Sequence, residues 1–248
     1  MDLNIDLIQG AVDCLRKRAG VSAEIYVGIE EADIEIEGAT LLLTPKGKQW
    51  TGRARAHLAQ IKYDYIIFLL EDYYVLDVDE TVVEKLVDQM PSFKAGSIKL
   101  LPAPRPNAGV PGRVDLGFYN DHEIGRINTQ PALWEKAYLE SLLYEDESLW
   151  EFEINSAIRS IPSNRNSMGL YHPALKYDEV VKRGKFRNRF KARYKTELDK
   201  YSIGQERGYL NYGDELFFEI KHLFSQILKF FTTQHFRSVI KSLIGPSK

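Results

Sequence analysis

Residues 65–70, YIIFLL, form a continuous apolar run that ends abruptly in Glu71-Asp72. Six apolar residues with no polar alternate predict a strand covered on both faces, as inside a helix-flanked sheet. The neighbouring segments fit that setting. AEIYVGIE and TLLLT read as short strands, the second ended by Pro45 and Gly47, and SIKLL as another. Helical patterns lie between them. Residues 7–19 put Leu7, Ile8, Ala11, Cys14, Leu15 and Ala19 on one face, with Arg16, Lys17 and Arg18 towards the C-terminal end. Residues 50–62 and 80–90 follow, the latter stopped by Met90-Pro91. Strands alternating with helices predict an α/β fold, with a mostly parallel sheet and helices on both faces.

Beyond this the Pro/Gly-rich residues 102–117 read as a long loop, and loops of that length in compact domains are often functional. Residues 131–144 and 152–160 read as helices. The tail differs. Leu216, Phe217, Ile220, Leu223, Phe224, Ile227, Leu228 and Phe231 form one apolar stripe, which Phe236, Val239, Ile240, Leu243 and Ile244 resume after TTQH. This predicts two amphipathic helices, and a division into a domain over 1–200 and a helical tail over 201–248. With 44% hydrophobic and 27% charged residues the chain is too apolar for disorder. A single cysteine, Cys14, excludes an internal disulfide framework and fits a reducing compartment. MDLNIDLIQG lacks the basic and continuous apolar regions of an export signal, and no run of about 18 apolar residues offers a membrane span. The expected location is cytoplasmic. Charge is split: residues 1–175 hold 17 Lys+Arg and 27 Asp+Glu, and residues 176–248 hold 16 and 8. An acidic body carries a basic tail.

Four groups of residues offer chemistry. Glu71 and Asp72 repel one another at a buried strand's end unless a cation or hydrogen-bond donors compensate; otherwise they are solvated acids at a strand–loop junction. A hard cation, Mg²⁺ or Mn²⁺, carrying a diphosphate would supply the compensation. Trp50 and Arg53 open the helix before that strand, where a guanidinium would grip a phosphate and an indole would stack on a ring; the other reading is surface arginine and packing tryptophan. The acids of ESLWEFE stand where a helix begins and include a candidate general base. His172, in GLYHPALK, is a metal-ligand candidate only if the fold brings it beside Asp72.

A Trp-x-x-Arg ahead of an apolar strand that ends in paired acids and aromatics resembles the GT-A nucleotide-sugar glycosyltransferases. WTGRARAHLAQIKYDYIIFLLEDYYVLD is similar to bacterial enzymes of capsule and lipopolysaccharide synthesis, and so is GRINTQPALWEKAYLESLLYEDESLWEFE, through Gln-Pro-x-x-Trp and Trp-Glu-Phe-Glu. The ordered set covers about residues 24–185. The resemblance implies a GT-A (Rossmann-like) domain transferring a hexosyl or related sugar. In it Asp72 is the metal carboxylate and Glu71 stands for the family's first acid, a Glu where the family has Asp. Glu153 falls at the general base, with Glu151 in reserve. Asn128, Thr129 and Gln130 line the sugar or acceptor side beneath Trp134. His172 reaches the metal, and Lys182 and Arg183 reach the diphosphate. The family's apolar first strand has only MDLNIDL in its place, or else the native chain begins further upstream.

The reaction implied is a single displacement with inversion at the anomeric carbon, on a glycan or lipid-linked acceptor. KRGKFRNRFKARYK, residues 182–195, carries eight basic residues and no acid. With the Phe-rich helices it suits an anionic membrane, on the cytoplasmic face of the inner membrane. The same helices would equally pack on the domain or pair two chains as a homo-oligomer. Two rivals stand beside this reading: a catalytically inactive sugar-binding or scaffold protein, and a nucleic-acid-binding module stacking bases on Phe186, Phe190 and Tyr194. The acidic body opposes the second.

Overall fold

A computed structural model describes residues 5–30, 34–123, 125–144, 146–203 and 207–231, and the side chains of all of these except Ile5 and 222–231. The chain divides into two compact units, Met1–Val180 and Val181–Lys248. The boundary therefore falls where the basic run begins, and the expected one at 200 lies inside the second unit.

In the first unit, α1 (Ile5–Asp13) continues as a wider π-type turn, Cys14–Arg18. From Ile5 onward MDLNIDL is thus helix, not a first strand: Leu7 and Ile8 are buried side by side, and Ala11 and Val12 repeat that face one turn on. Then β1 (Tyr26–Glu30) and β2 (Thr40–Thr44) pair in parallel, Tyr26 opposite Thr40. There follow α2 (Trp50–Leu58), β3 (Tyr65–Phe68), β4 (Tyr73–Val78), α3 (Glu80–Gln89) and β5 (Ala95–Lys99). Asp79 caps α3 by accepting from the Val82 amide at 3.0 Å. The chain continues through β6 (Ala108–Gly109), β7 (Leu116–Phe118), β8 (Ala132–Glu135), α4 (Lys136–Leu142), α5 (Leu149–Arg159), β9 (Asn166–Leu170) and β10 (Leu175–Glu179).

Six strands form one sheet in the order β3-β8-β5-β9-β7-β6. Only β5 and β9 pair in parallel; the other four pairings are antiparallel. The sheet is mixed and mostly antiparallel, not mostly parallel as the alternation of elements predicts. Two insertions cause this. The β6–β7 hairpin grows from the long loop, and β8 enters in reverse between β3 and β5. Residues 132–135 were expected to be helical, because Leu133, Tyr138 and their neighbours also satisfy a helical stripe. They become strand because both flanking strands supply ladder partners: Trp134 lies opposite Ile66 and Ser97, and Leu133 opposite Ile67 and Ile98.

The alternation of β8 divides the core between the two faces. Leu133 packs with Ile98, Leu100, Leu116, Met168, the α3 residue Leu86 and Met90 just beyond that helix. Ala132 and Trp134 face the other way, onto Tyr138, Leu139, Leu142 and Phe152. Gly96 lets the Tyr138 ring approach to 2.2 Å of where a Cβ would stand. A separate antiparallel ribbon, β4 with β10, has Glu179 opposite Tyr73 and Leu175 opposite Val78.

In the second unit β11 (Val181–Lys182), β12 (Lys185–Arg187) and β13 (Tyr209–Leu210) form a small sheet, followed or flanked by the 3₁₀ turn Asn188–Phe190, α6 (Lys195–Lys200) and α7 (Tyr212–Phe231). Phe186, Phe190, Tyr194, Leu198, Ile203 and Leu210 are buried. Among the described α7 side chains, Glu215 is buried, whereas Leu216, Phe217 and Ile220 are 58–62% exposed. The second expected amphipathic helix, 236–244, lies outside the described residues. Among the described residues no helix is long and apolar enough to cross a membrane.

Candidate functional site

The strand directions place the candidate residues. Because β8 opposes both β3 and β5, those two strands run the same way and end at the edge where β8 begins. Glu71 and Asp72 follow β3, Lys99 ends β5, and Asn128, Thr129 and Gln130 precede β8, so all arrive at one edge of the sheet. Ligand sites in open α/β sheets favour such an edge.

Asp72 and Glu71 are half-buried. The Asp72 carbonyl accepts from the Val180 amide at 2.9 Å, which brings the end of β10 alongside. The rings of Tyr73 and Tyr177 lie 4.5 Å apart across the ribbon. Burial raises the Tyr73 hydroxyl pKa, and the charges of Asp72, Glu179 and Glu153 add to the rise, as does Tyr177. The Tyr177 hydroxyl is pushed up to about 12 by burial first, then by Glu179 and Asp72. Three carboxylates from three separate segments therefore act on one tyrosine.

Glu153 is the fifth residue of α5, a helix opened by a capping box between Ser148 and Glu151. Its Oε1 accepts from the Thr129 amide at 2.8 Å and from Thr129 Oγ1 at 2.7 Å. No described residue hydrogen-bonds its Oε2. On the other side of Thr129, Asn128 Oδ1 accepts from the Gln130 amide at 3.2 Å and from Lys99 Nζ. Lys99 is 2% exposed, and burial pulls its pKa down to about 7 against the opposing pull of Glu153 and Glu123. Gln130 Oε1 is buried with no partner in the structure. An apolar cavity behind these residues, lined by Trp50, Phe68, Thr129 and Phe152, has about 10 Å³, one water's worth at most. A ligand would sit on the open edge, not in that cavity.

Several expected residues stand elsewhere. Trp134 is 2% exposed and stacked on Tyr138, so it cannot roof a sugar. Trp50 packs its ring on Phe68 at 5.9 Å and Phe152 at 5.2 Å, the packing alternative of the two readings. Arg53 is held by Glu30 at 3.1 Å, at the end of β1. Glu151 Oε2 accepts from the Ser148 amide and hydroxyl at 2.8 and 2.7 Å, so this side chain closes the capping box at the start of α5. His172 is exposed beyond the start of β10, while Asp72 adjoins its end. The strand between spans about 13 Å at about 3.3 Å per residue, so His172 is not a ligand beside Asp72. It stands instead near Asp115, whose carboxyl is held down chiefly by the Arg113 hydrogen bond.

Lys182 and Arg183 belong to the second unit, where Arg183 lies 4.7 Å over the Phe218 ring. Phe186 and Tyr194 are fully buried and Phe190 nearly so, which withdraws the stacking platforms a nucleic-acid module needs. Within this unit Arg187 pairs with Glu215 at 3.6 Å and Glu219 at 2.6 Å, and Arg189 with Glu219.

Among the described residues, no three of His, Cys, Asp and Glu gather as a metal-holding group. Asp72 and Glu179 are oxygen donors of the kind hard cations take, so the donor chemistry fits Mg²⁺ or Mn²⁺ with remaining ligands from a bound diphosphate. Sequence reasoning missed Lys99, Glu179, Tyr73 and Tyr177. The lysine had a signal, being the one charge in the otherwise apolar SIKLL; Glu179 had none, since only ribbon pairing brings it to Tyr73. No family model, curated protein or solved structure matches the chain.

Proposed function

We propose that the chain is a glycosyltransferase of GT-A architecture, moving a sugar from a nucleotide-sugar donor to a hydroxyl of a glycan or lipid-linked acceptor in bacterial surface polysaccharide synthesis. The observation that carries this is convergence. Asp72 and Glu153, far apart in the chain, both act on Tyr73 at the edge where β3 and β5 end. Inverting transfer needs such a pair: one carboxylate on the leaving-group side and one facing the nucleophile.

Glu153 serves as the base. Thr129 fixes its Oε1 with two hydrogen bonds, and Oε2 is left to take the acceptor proton. The acceptor oxygen bonds to the anomeric carbon as the bond from that carbon to the diphosphate oxygen breaks; the electron pair leaves with the nucleoside diphosphate, and the configuration inverts. A divalent cation, when bound, neutralises charge on the departing diphosphate. Asp72 and Glu179 would hold it. Tyr73 and Tyr177, with raised pKa values, stay neutral and offer hydroxyl donors beside the carboxylates.

The second unit supports an acceptor at an anionic membrane surface. It holds 15 Lys+Arg and 6 Asp+Glu. Its α7 is tethered through Glu215 and Glu219, leaving Leu216, Phe217 and Ile220 outward. A thermal-shift panel of nucleoside diphosphates and nucleotide sugars, with Mn²⁺ or Mg²⁺, tests the donor class. One nucleotide should stabilise the wild type with metal and the Asp72→Asn variant less. Transfer with retained anomeric configuration would remove the single displacement. Binding without transfer or hydrolysis of any donor would favour the inactive sugar-binding alternative.

A further inference from the structure

We infer that Lys99 is the positioning residue of this site: it anchors the turn of residues 128–130 and, through Thr129, holds the Glu153 carboxylate for proton transfer. The inference rests on the reading of Glu153 as base.

The geometry begins with β5, in which all five residues of AGSIK are buried. Alternation along the strand turns Ile98 onto the face of Leu133 and turns Ser97 and Lys99 onto the face of Ala132 and Trp134. That is the face α5 covers through Phe152, so the lysine points to the same side of the sheet as the helix bearing Glu153. An ammonium has three donors and loses much hydration when buried. The only acceptor that a described residue gives Lys99 is Asn128 Oδ1. No described carboxylate lies within ion-pair distance of it.

Asn128 Oδ1 has a second task. It accepts from the Gln130 amide, closing a side-chain-to-backbone turn across Thr129. Lys99 and the turn thus share one oxygen, and Thr129, at the turn's centre, gives both its donors to Glu153. Removing the ammonium would free Asn128 to rotate and let the turn relax. Glu153 would then lose its two-point grip, and misplacement of about 1 Å costs about 100-fold in rate.

The charged groups acting on Lys99 are Glu153 on α5 and Glu123 in the loop before β8. Burial outweighs both, so the side chain exchanges its proton near neutral pH. The clamp is charge-assisted only while the proton is present. Turnover should therefore fall on the alkaline side as Lys99 deprotonates.

The test measures kcat and donor KM against pH for the full chain and for the Lys99→Met and Lys99→Arg variants. Wild-type kcat should fall above about pH 7, the midpoint that burial gives Lys99. Lys99→Met should lose roughly 10- to 100-fold in kcat with donor KM little changed, and lose the alkaline fall. Lys99→Arg, charged at every pH, should recover part of kcat and also lack the fall. An alkaline fall that persists in Lys99→Met overturns the inference, as does an equal loss in kcat and KM.

A second measurement needs no activity and covers variants that fail to fold. In ¹⁵N-lysine-labelled wild type and Glu153→Gln, the Lys99 Nζ resonance should titrate near 7 in the first and lower in the second. A midpoint near 10, or one that ignores Glu153, overturns the inference. Absence of transfer with any donor, alongside the expected titration, instead overturns the transferase reading alone.

Discussion

The two units treat a buried cation in opposite ways. In the basic unit, 181–248, the Arg187 side chain is 7% exposed and meets two carboxylates, Glu215 and Glu219. In the acidic unit, 1–180, which holds 29 Asp+Glu against 18 Lys+Arg, Lys99 is equally buried yet bonded to a neutral amide. Abundance of acid does not determine pairing. Arg187 is a fixed joint that fastens a helix through two carboxylates. Lys99 has acceptor geometry without a counter-charge, which is the condition under which a proton becomes mobile near neutrality.

The largest effect expected is on chemistry at the acidic unit. Glu153→Gln keeps an acceptor for Thr129 but removes the proton acceptor, so turnover should fall by about 10²- to 10⁴-fold. Nucleotide-sugar binding, followed by calorimetry, should stay near wild type. Equal loss of binding would make Glu153 structural.

Next comes the pH dependence of stability. Lys99 titrates at about 7 when folded and near 10.4 when unfolded, so between these values the unfolded chain holds the extra proton. Stability therefore rises with pH across this window. The buried charge costs most below pH 7 and nothing above about 10.4. Denaturant melts of Lys99→Met should lack that rise, and its advantage over wild type should shrink by about 1.4 kcal/mol per pH unit from 7 to 10. Parallel curves would mean that folding leaves the Lys99 pKa unshifted, so that the buried side chain keeps its proton across this window.

For the basic unit the matching variant is Glu215→Ala. It takes from Arg187 its buried carboxylate partner and leaves the half-exposed Glu219, and should cost about 3 kcal/mol, without any pH window near neutrality. A neutral outcome, read in the same melts, would mean that Glu219 alone secures α7.

The comparison also explains what the sequence made legible. YIIFLL with its terminal acids is local, and a strand does form there, but β3 is a half-buried edge strand paired in the sheet with β8 alone, not the strand covered on both faces that an unbroken apolar run predicts. Glu153 and residues 128–130 were singled out only through the resemblance, and their mutual hydrogen bonds were not legible. The direction of β8 was hidden because Ala132–Glu135 satisfies a helical stripe and a strand equally, and only its neighbours in space decide. His172 is misread for the same reason: β10 carries the chain back to Asp72 only after His172 has been left behind. The partners of Lys99 and Arg187 are non-local, so neither the neutral amide at Asn128 nor the carboxylates at Glu215 and Glu219 could be read from the segments that carry the two cations.

The smallest effect on stability is expected on α7, and it contrasts with α3. On α3 the apolar residues Leu86 and Val83 face the core, whereas on α7 Leu216 and Phe217 face outward and Glu215 faces in. Side chains that stand 60–62% exposed, as Leu216 and Phe217 do, contribute little to folding. Leu216→Ser with Phe217→Ser should therefore change the melting free energy by no more than about 0.5 kcal/mol. Leu86→Ser, by comparison, should cost several times that, because it puts a hydroxyl into a dry core. The double variant should instead lose sedimentation with vesicles of anionic phospholipid, while wild type should bind these and release with salt. If the double variant unfolds readily or changes oligomeric mass, the stripe is covered by protein, and the membrane-facing half of the comparison falls.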